Sequence, residues 1–296
     1  MNSLKIISLG LVLLIVNIAC QNEVPDYEEG REAVFVNNPY PTNVETLRVL
    51  AIGNSFTDDA TSYLYTIADK GGINPERYCL YTIAHPAASI SHFLEVYRNN
   101  SQVKANVYGG HIIMNSVGTL ADIVAQDWDV IVIQQASDIA GQWQSYSCLG
   151  NYIRFLDQTC TNDNLCIVLQ MPWSHTKEEM PYALDQNIKC TKKVIEEFGI
   201  DVIIPTGTAI QLARNTELND NMYLTDDNWH LNKGIGRYIA NCLWYQMLFV
   251  PAFGGDIIGK SAIPTIGTYT EPEIRLAQKC AKRASIAPWD YNAKIE

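Results

Sequence analysis

Three residues far apart in the chain have the types that acyl-transfer chemistry needs. Ser55 stands in "GNSFTDD", directly after the apolar run "RVLAI", while Asp227 and His230 stand in "TDDNWHLNKGIGRY". A serine hydroxyl becomes a nucleophile only beside a general base, and the base needs a group that fixes its tautomer and orientation. A loop Asp three residues ahead of a His folds back to accept the imidazole Nδ1–H, leaving Nε2 to face a serine. Asp226 offers the same carboxylate at a spacing of four. Each part also has a plainer reading. Ser before "FTDD" is an acceptable helix N-cap, and "DDNWH" is equally a polar loop ahead of a helix. On these residues alone both readings stay open.

The elements around them restrict the choice. "RVLAIG", "YCLYTIA", "WDVIVIQQ" (128–135), "LCIVLQMPW" (165–173) and "DVIIPTG" (201–207) are short apolar runs of strand length. They alternate with helical patterns such as "DATSYLYTIADKGG" and the amphipathic "EEMPYALDQNIKCTKKVIEEFG". Strands apolar on both faces and spaced by helices predict a mainly parallel sheet covered on both sides. The expected fold is therefore a three-layer α/β/α sandwich with about five strands. Ligands of such sheets bind beyond the carboxyl ends of the strands, and Gly53-Asn54-Ser55 lies just past the first one. There a small residue permits a tight turn, and the free N–H groups of a helix start suit a developing oxyanion. "NVYGGHIIMNSVGT" (106–119) fits less well and reads as an inserted hairpin or loop.

Taken with their order and separation, the two end motifs resemble those of the SGNH (GDSL-type) serine hydrolases. The likeness is closest to a branch of exported bacterial lipoproteins with "GNSF" at the nucleophile and "QQ(A/S)S" after the third strand. It spans about Leu47 to Phe249. It implies Ser55 as nucleophile, His230 as general base and Asp227 as its partner, with the Ser55 N–H and a backbone N–H near Ala88 as oxyanion donors. A Gln amide offers the N–H donors of the family's Asn on a longer stem, so Gln135, or else Gln134, is expected as the third. It also implies an esterase of O-acyl groups, acetyl favoured, on carbohydrate. Here the chain departs from the wider pattern. Ala87-Ala88 stands where Gly is usual after the second strand, and "IQQASD" replaces a Gly-x-Asn after the third. Asn54, Gln134, Trp143, Trp173 and Trp229 are further candidates for substrate contact, the tryptophans as an apolar or sugar-stacking wall. His175 in "MPWSHT" is the histidine most easily confused with the base. A lipase or thioesterase on the same site, or a glycan-binding protein with a decayed site, are the alternatives.

Composition sets the outer bounds. At 296 residues, 47% hydrophobic and 18% charged, the chain can build one substantial core. A net charge of -11 argues against nucleic acid and anionic membrane surfaces as partners. Residues 1–19 read as a signal peptide, with Lys5 ahead of "IISLGLVLLIVNIA". Cys20 then reads as the lipidated N-terminus of a lipoprotein held in a Gram-negative-type envelope. Residues 20–46 form a polar linker, 47–250 the hydrolase domain and 251–296 a C-terminal extension packed on it. Beyond Cys20, seven cysteines remain, and Cys160 and Cys166 flank a loop they could bridge. No spacing suggests a metal, and no cofactor is expected.

Overall fold

Runs that are β-branched on both faces must be covered on both sides, and the fold follows from that requirement. The computed structural model describes residues 36–109, 112–175 and 182–295. The signal segment, Cys20, the first part of the linker and His111 lie outside the described residues. The first half of the chain forms β1 (Leu47–Gly53), α1 (Ser55–Thr61), α2 (Leu64–Lys70), β2 (Tyr78–Ala84), α3 (Ile90–Arg98), β3 (Gln102–Gly109), β4 (Ile112–Thr119), α4 (Leu120–Val124) and β5 (Val130–Gln134). The second half forms α5 (Leu149–Thr159), β6 (Cys166–Gln170), α6 (Tyr182–Phe198), β7 (Ile203–Ile204), α7 (Thr206–Arg214), α8 (Ile235–Trp244), α9 (Val250–Phe253) and α10 (Glu271–Ile286).

The strands form one sheet in the order β4-β3-β2-β1-β5-β6-β7. The five expected strands are its parallel part. The sheet has seven strands rather than five because the 106–119 region is a β3–β4 hairpin running antiparallel along β2. Along β3 only Ala105 and Val107 are buried, between more exposed positions, so it lacks the continuous apolar run that marks the central strands. β7 is cut to two residues because Pro205, which has no N–H to continue the ladder, caps α7. The β6 edge left open beside it is closed by Asn37, whose side chain accepts from Ile167 N–H and donates to Ile167 O, both at 2.8 Å.

The period of two along β1 divides the core. Val49 and Ala51 pack under α1, α7, α8 and α10, whereas Leu50 and Ile52 pack under α3, α5 and α6. Each fully buried aliphatic side chain contributes roughly 1.5–3 kcal/mol. α10 opens with a Thr270–Glu273 capping box and buries Ile274, Ala277, Cys280, Ala281 and Ala284. Cys79, Cys160, Cys166, Cys190, Cys242 and Cys280 are free thiols. The Cys160–Cys166 bridge is not formed: Cys166 is buried within β6, and the Cys160 Sγ contacts Gln126 O at 3.3 Å. Among the described residues, no helix is long and apolar enough to cross a membrane.

Candidate active site

The turn after β1 settles which residue caps α1. Asn54, in extended conformation, is the N-cap, and its Oδ1 accepts the Phe56 N–H at 2.9 Å. Ser55 is the first helical residue, half-buried, and its hydroxyl is free of the capping duty. Gly53 is required by close packing, since a Cβ there would collide with Thr57 Oγ1 and come within 2.9 Å of Gln134 Oε1. Below the turn, Gln134 Nε2 donates to Asn54 Oδ1 at 2.9 Å, and Thr57 Oγ1 donates to Gln134 Oε1 at 2.6 Å. Gln170 Oε1 lies 3.2 Å from the same hydroxyl. The ends of β1, β5 and β6 are thereby tied to α1. Thr57 and Gln170 were not singled out in the sequence. The available signal is the repeated strand ending, "VIVIQ" and "CIVLQ", that places Gln134 and Gln170 side by side.

The loop before α8 delivers the histidine. Thr225 and Leu231 form an isolated antiparallel bridge, and Asp226 N–H donates to His230 O at 3.0 Å. Asn228 takes φ 66°, a left-handed value that Asn tolerates better than most residues, and this closes the turn. Asp227 Oδ1 accepts the N–H groups of Trp229 (3.0 Å) and His230 (2.7 Å), and Asp227 Oδ2 lies 2.7 Å from His230 Nδ1. His230 Nε2 is then 2.8 Å from Ser55 Oγ. It is Asp227, not Asp226, that meets the ring. Partial burial works to raise the Asp227 pKa, but the hydrogen bonds from the His230 ring and the two backbone N–H groups outweigh it and hold the carboxyl at about 2. Aromatic packing braces the pair: Phe56 stacks on Trp173 at 3.8 Å, and Trp173 Nε1 donates to Trp229 O at 2.9 Å.

The expected helpers are placed differently. Ala88 N–H donates to His85 O at 3.0 Å, closing a turn, and is not free for an oxyanion. The left-handed residue of this turn is Ala87, exposed at φ 56°. Ala88 O accepts from Asn54 Nδ2 at 3.3 Å, which sets this turn beside Ser55. Gln135 is buried with its amide engaged: Nε2 donates to Ser145 O (2.7 Å) and reaches Ser145 Oγ (3.2 Å), while Oε1 accepts Ala136 N–H (2.8 Å) and Ile90 N–H (3.2 Å). It pins a loop instead of facing a substrate. Of the three expected donors, the Ser55 N–H has no acceptor among the described residues.

Asn54, Gln134 and Trp173 are buried and bonded within the protein, so they position the turn and do not line a substrate wall. Trp143 packs against Tyr146 and Phe198 beneath Lys193, a contact between helices. Trp229 alone of the candidate tryptophans is exposed, at 45%, and its ring lies 4.0 Å from that of His175. Burial pulls the His175 pKa down to about 4, so it is neutral at neutral pH, and it touches Phe56 and Trp229 while His230 holds the Ser55 hydroxyl. Among the described residues, no group of three or more His, Cys, Asp or Glu side chains is placed to hold a metal.

The family described as "Domain of unknown function (DUF4886)" matches residues 48–261. A DUF4886 family protein from Bacteroides uniformis ATCC 8492 has a similar structure, with a TM-score of 0.71 at 24% identity over 82% of this chain and 96% of that one. That likeness shows the fold. An acetylxylan esterase from Geobacillus stearothermophilus, solved as catalytic mutants, is more distant. One mutant gives a TM-score of 0.46 at 12% identity over 73% and 98% of the two chains, and another 0.46 at 13% over 70% and 96%. A likeness at this level does not bear on function. No curated protein matches the chain.

Proposed function

The chain belongs to the DUF4886 family, and we propose that it is a serine esterase of the SGNH type. One observation carries this reading: Ser55 Oγ, His230 and Asp227, drawn from opposite ends of the chain, form a continuous hydrogen-bonded series of 2.8 and 2.7 Å. In the proposed reaction, Ser55 Oγ attacks the ester carbonyl carbon and passes its proton to His230 Nε2. Asp227 stays ionised and steadies the resulting imidazolium. The oxyanion is received by the Ser55 N–H, and we assign the second donor to the Ala87 N–H in place of Ala88 or Gln135. Collapse of the tetrahedral species breaks the bond to the alkoxy oxygen, which takes the proton from His230 and leaves as alcohol. Water, deprotonated by His230, then attacks the acyl-Ser55 carbonyl and releases the acid, restoring the Ser55 hydroxyl.

The substrate class we propose is an O-acetylated carbohydrate, supported by the exposed ring of Trp229, which precedes His230 in the chain and packs against His175, and which offers an aromatic face for a sugar to stack on. No step needs a metal or cofactor. We further propose that the chain is exported and tethered to the cell envelope through lipidated Cys20. Cys20→Ala is then expected to move the protein from the membrane fraction to the soluble one. A second reading, a glycan-binding protein with a decayed site, is favoured by the engaged Ala88 N–H and Gln135 amide. Labelling separates the two: a fluorophosphonate should form a covalent adduct on the peptide containing Ser55. An intact protein that leaves Ser55 unmodified favours the binder.

A further inference from the structure

A buried carboxylate four residues beyond Ser55 connects the two halves of the site. Asp59 is 1% exposed on α1. Its Oδ2 accepts the N–H of Leu231, the residue next to His230, at 2.8 Å, and its Oδ1 meets Arg237 Nη2 from α8 at 2.6 Å. Its own carbonyl accepts from Asn241 Nδ2 at 2.8 Å, and Asn241 Oδ1 accepts Tyr63 N–H at 2.8 Å. The helix that carries Ser55 and the loop that carries His230 are therefore fastened at one carboxylate, across 172 residues of chain. Resting on the serine-esterase reading above, we propose that Asp59 is a positioning residue that registers His230 on Ser55, and that it does so only while ionised.

The hydrogen-bond inventory gives the reason. Both Asp59 oxygens face donors, so the site accepts a group with two acceptors and no proton. Replacement by Asn sets an NH2 donor against either Leu231 N–H or the Arg237 guanidinium, and protonation removes the charge and leaves one oxygen a hydroxyl, a weaker acceptor. One contact opens or weakens, and the His230 backbone loses its fixed distance to α1. A misplacement near 1 Å costs about a hundredfold in rate. The titratable and charged groups facing Asp59 are Arg237 from α8, His230 from the loop and Asp58 on its own helix. Burial raises the Asp59 pKa to about 6 against the lowering pull of Arg237, the Leu231 N–H and His230. The proton therefore arrives within the range where an esterase is assayed.

The test measures kcat and KM for p-nitrophenyl acetate from about pH 5 to 9, per active site titrated with a fluorophosphonate. It compares wild type, Asp59→Asn and the pair Asp59→Asn/Arg237→Gln. Asp59→Asn should lower kcat by about ten- to a hundredfold at high pH with KM within about twofold. The gap should close as pH falls through about 6, because the wild type then carries the proton that Asn mimics. In the double variant the introduced Asn can face Leu231 N–H with its oxygen, and its amide can donate to the oxygen of the introduced Gln. The kcat at high pH should then recover by at least about threefold. A single substitution that does not fold leaves the double variant to decide, since it must then lack the wild-type acid step attributed to Asp59. A wild-type rate per titrated site in Asp59→Asn, or a gap constant with pH, overturns the proposal. Wild type that is not labelled at Ser55 overturns the esterase reading itself, and the Asp59 role falls with it.

Discussion

At the residue scale, the ambiguity of Ser55 is resolved by Asn54. A serine that caps its own helix has its oxygen turned to backbone N–H groups, whereas here Asn54 caps and Ser55 Oγ meets His230. Asp227 should matter through orientation. Asp227→Asn is expected to lower kcat by about 10²–10⁴-fold with little change in KM, read by steady-state kinetics. Its depressed pKa also fixes the sign of its acid response. The carboxylate stabilises the fold above its unfolded value near 3.8, and that contribution fades as pH falls toward 2. The acid limb of activity therefore belongs to other groups. The contact of Asp227 with His230 was half legible, because a local spacing allows it but allows Asp226 as well, and the choice came from the resemblance. Asp59 was not legible, because its partners Leu231 and Arg237 lie at the far end of the chain.

At the element scale, the strand-top glutamines hold the site without entering it. Gln135→Ala leaves Ser145, Ile90 and Ala136 groups without partners and is expected to cost about 1–3 kcal/mol of stability. Its kcat per folded molecule should stay within about threefold, whereas loss of an oxyanion donor costs about 10²–10³. Thermal melts and titrated kinetics on one sample distinguish these outcomes. Ala87→Gly acts on the neighbouring turn. A left-handed Ala costs about 1–2 kcal/mol, partly offset by the added freedom of Gly in the unfolded chain. The substitution is expected to raise stability by up to about 1 kcal/mol in a denaturant titration. Sequence placed Gly-like duty at "AA" but not at which Ala, since the choice depends on a dihedral that the His85–Ala88 turn imposes.

At the scale of the whole molecule, the central parallel strands were legible because burial on both faces leaves an unbroken apolar run. The hairpin that brings the sheet to seven strands was only half legible, because a strand with few buried positions looks like a loop rich in polar residues. With Cys160 and Cys166 both free thiols, Cys160→Ser should leave the melting temperature the same with and without reducing agent. The proposed substrate belongs to this scale too. Rates along a series of p-nitrophenyl esters should fall as the acyl chain lengthens, and a preference for long chains would contradict the acetyl assignment. The central claim is that Ser55 is an activated nucleophile. Hydrolysis of p-nitrophenyl acetate by the wild type and by Ser55→Ala, matched for folded protein, tests it most directly. A fall of at least about 10³-fold is predicted, and equal rates for the two proteins would contradict it.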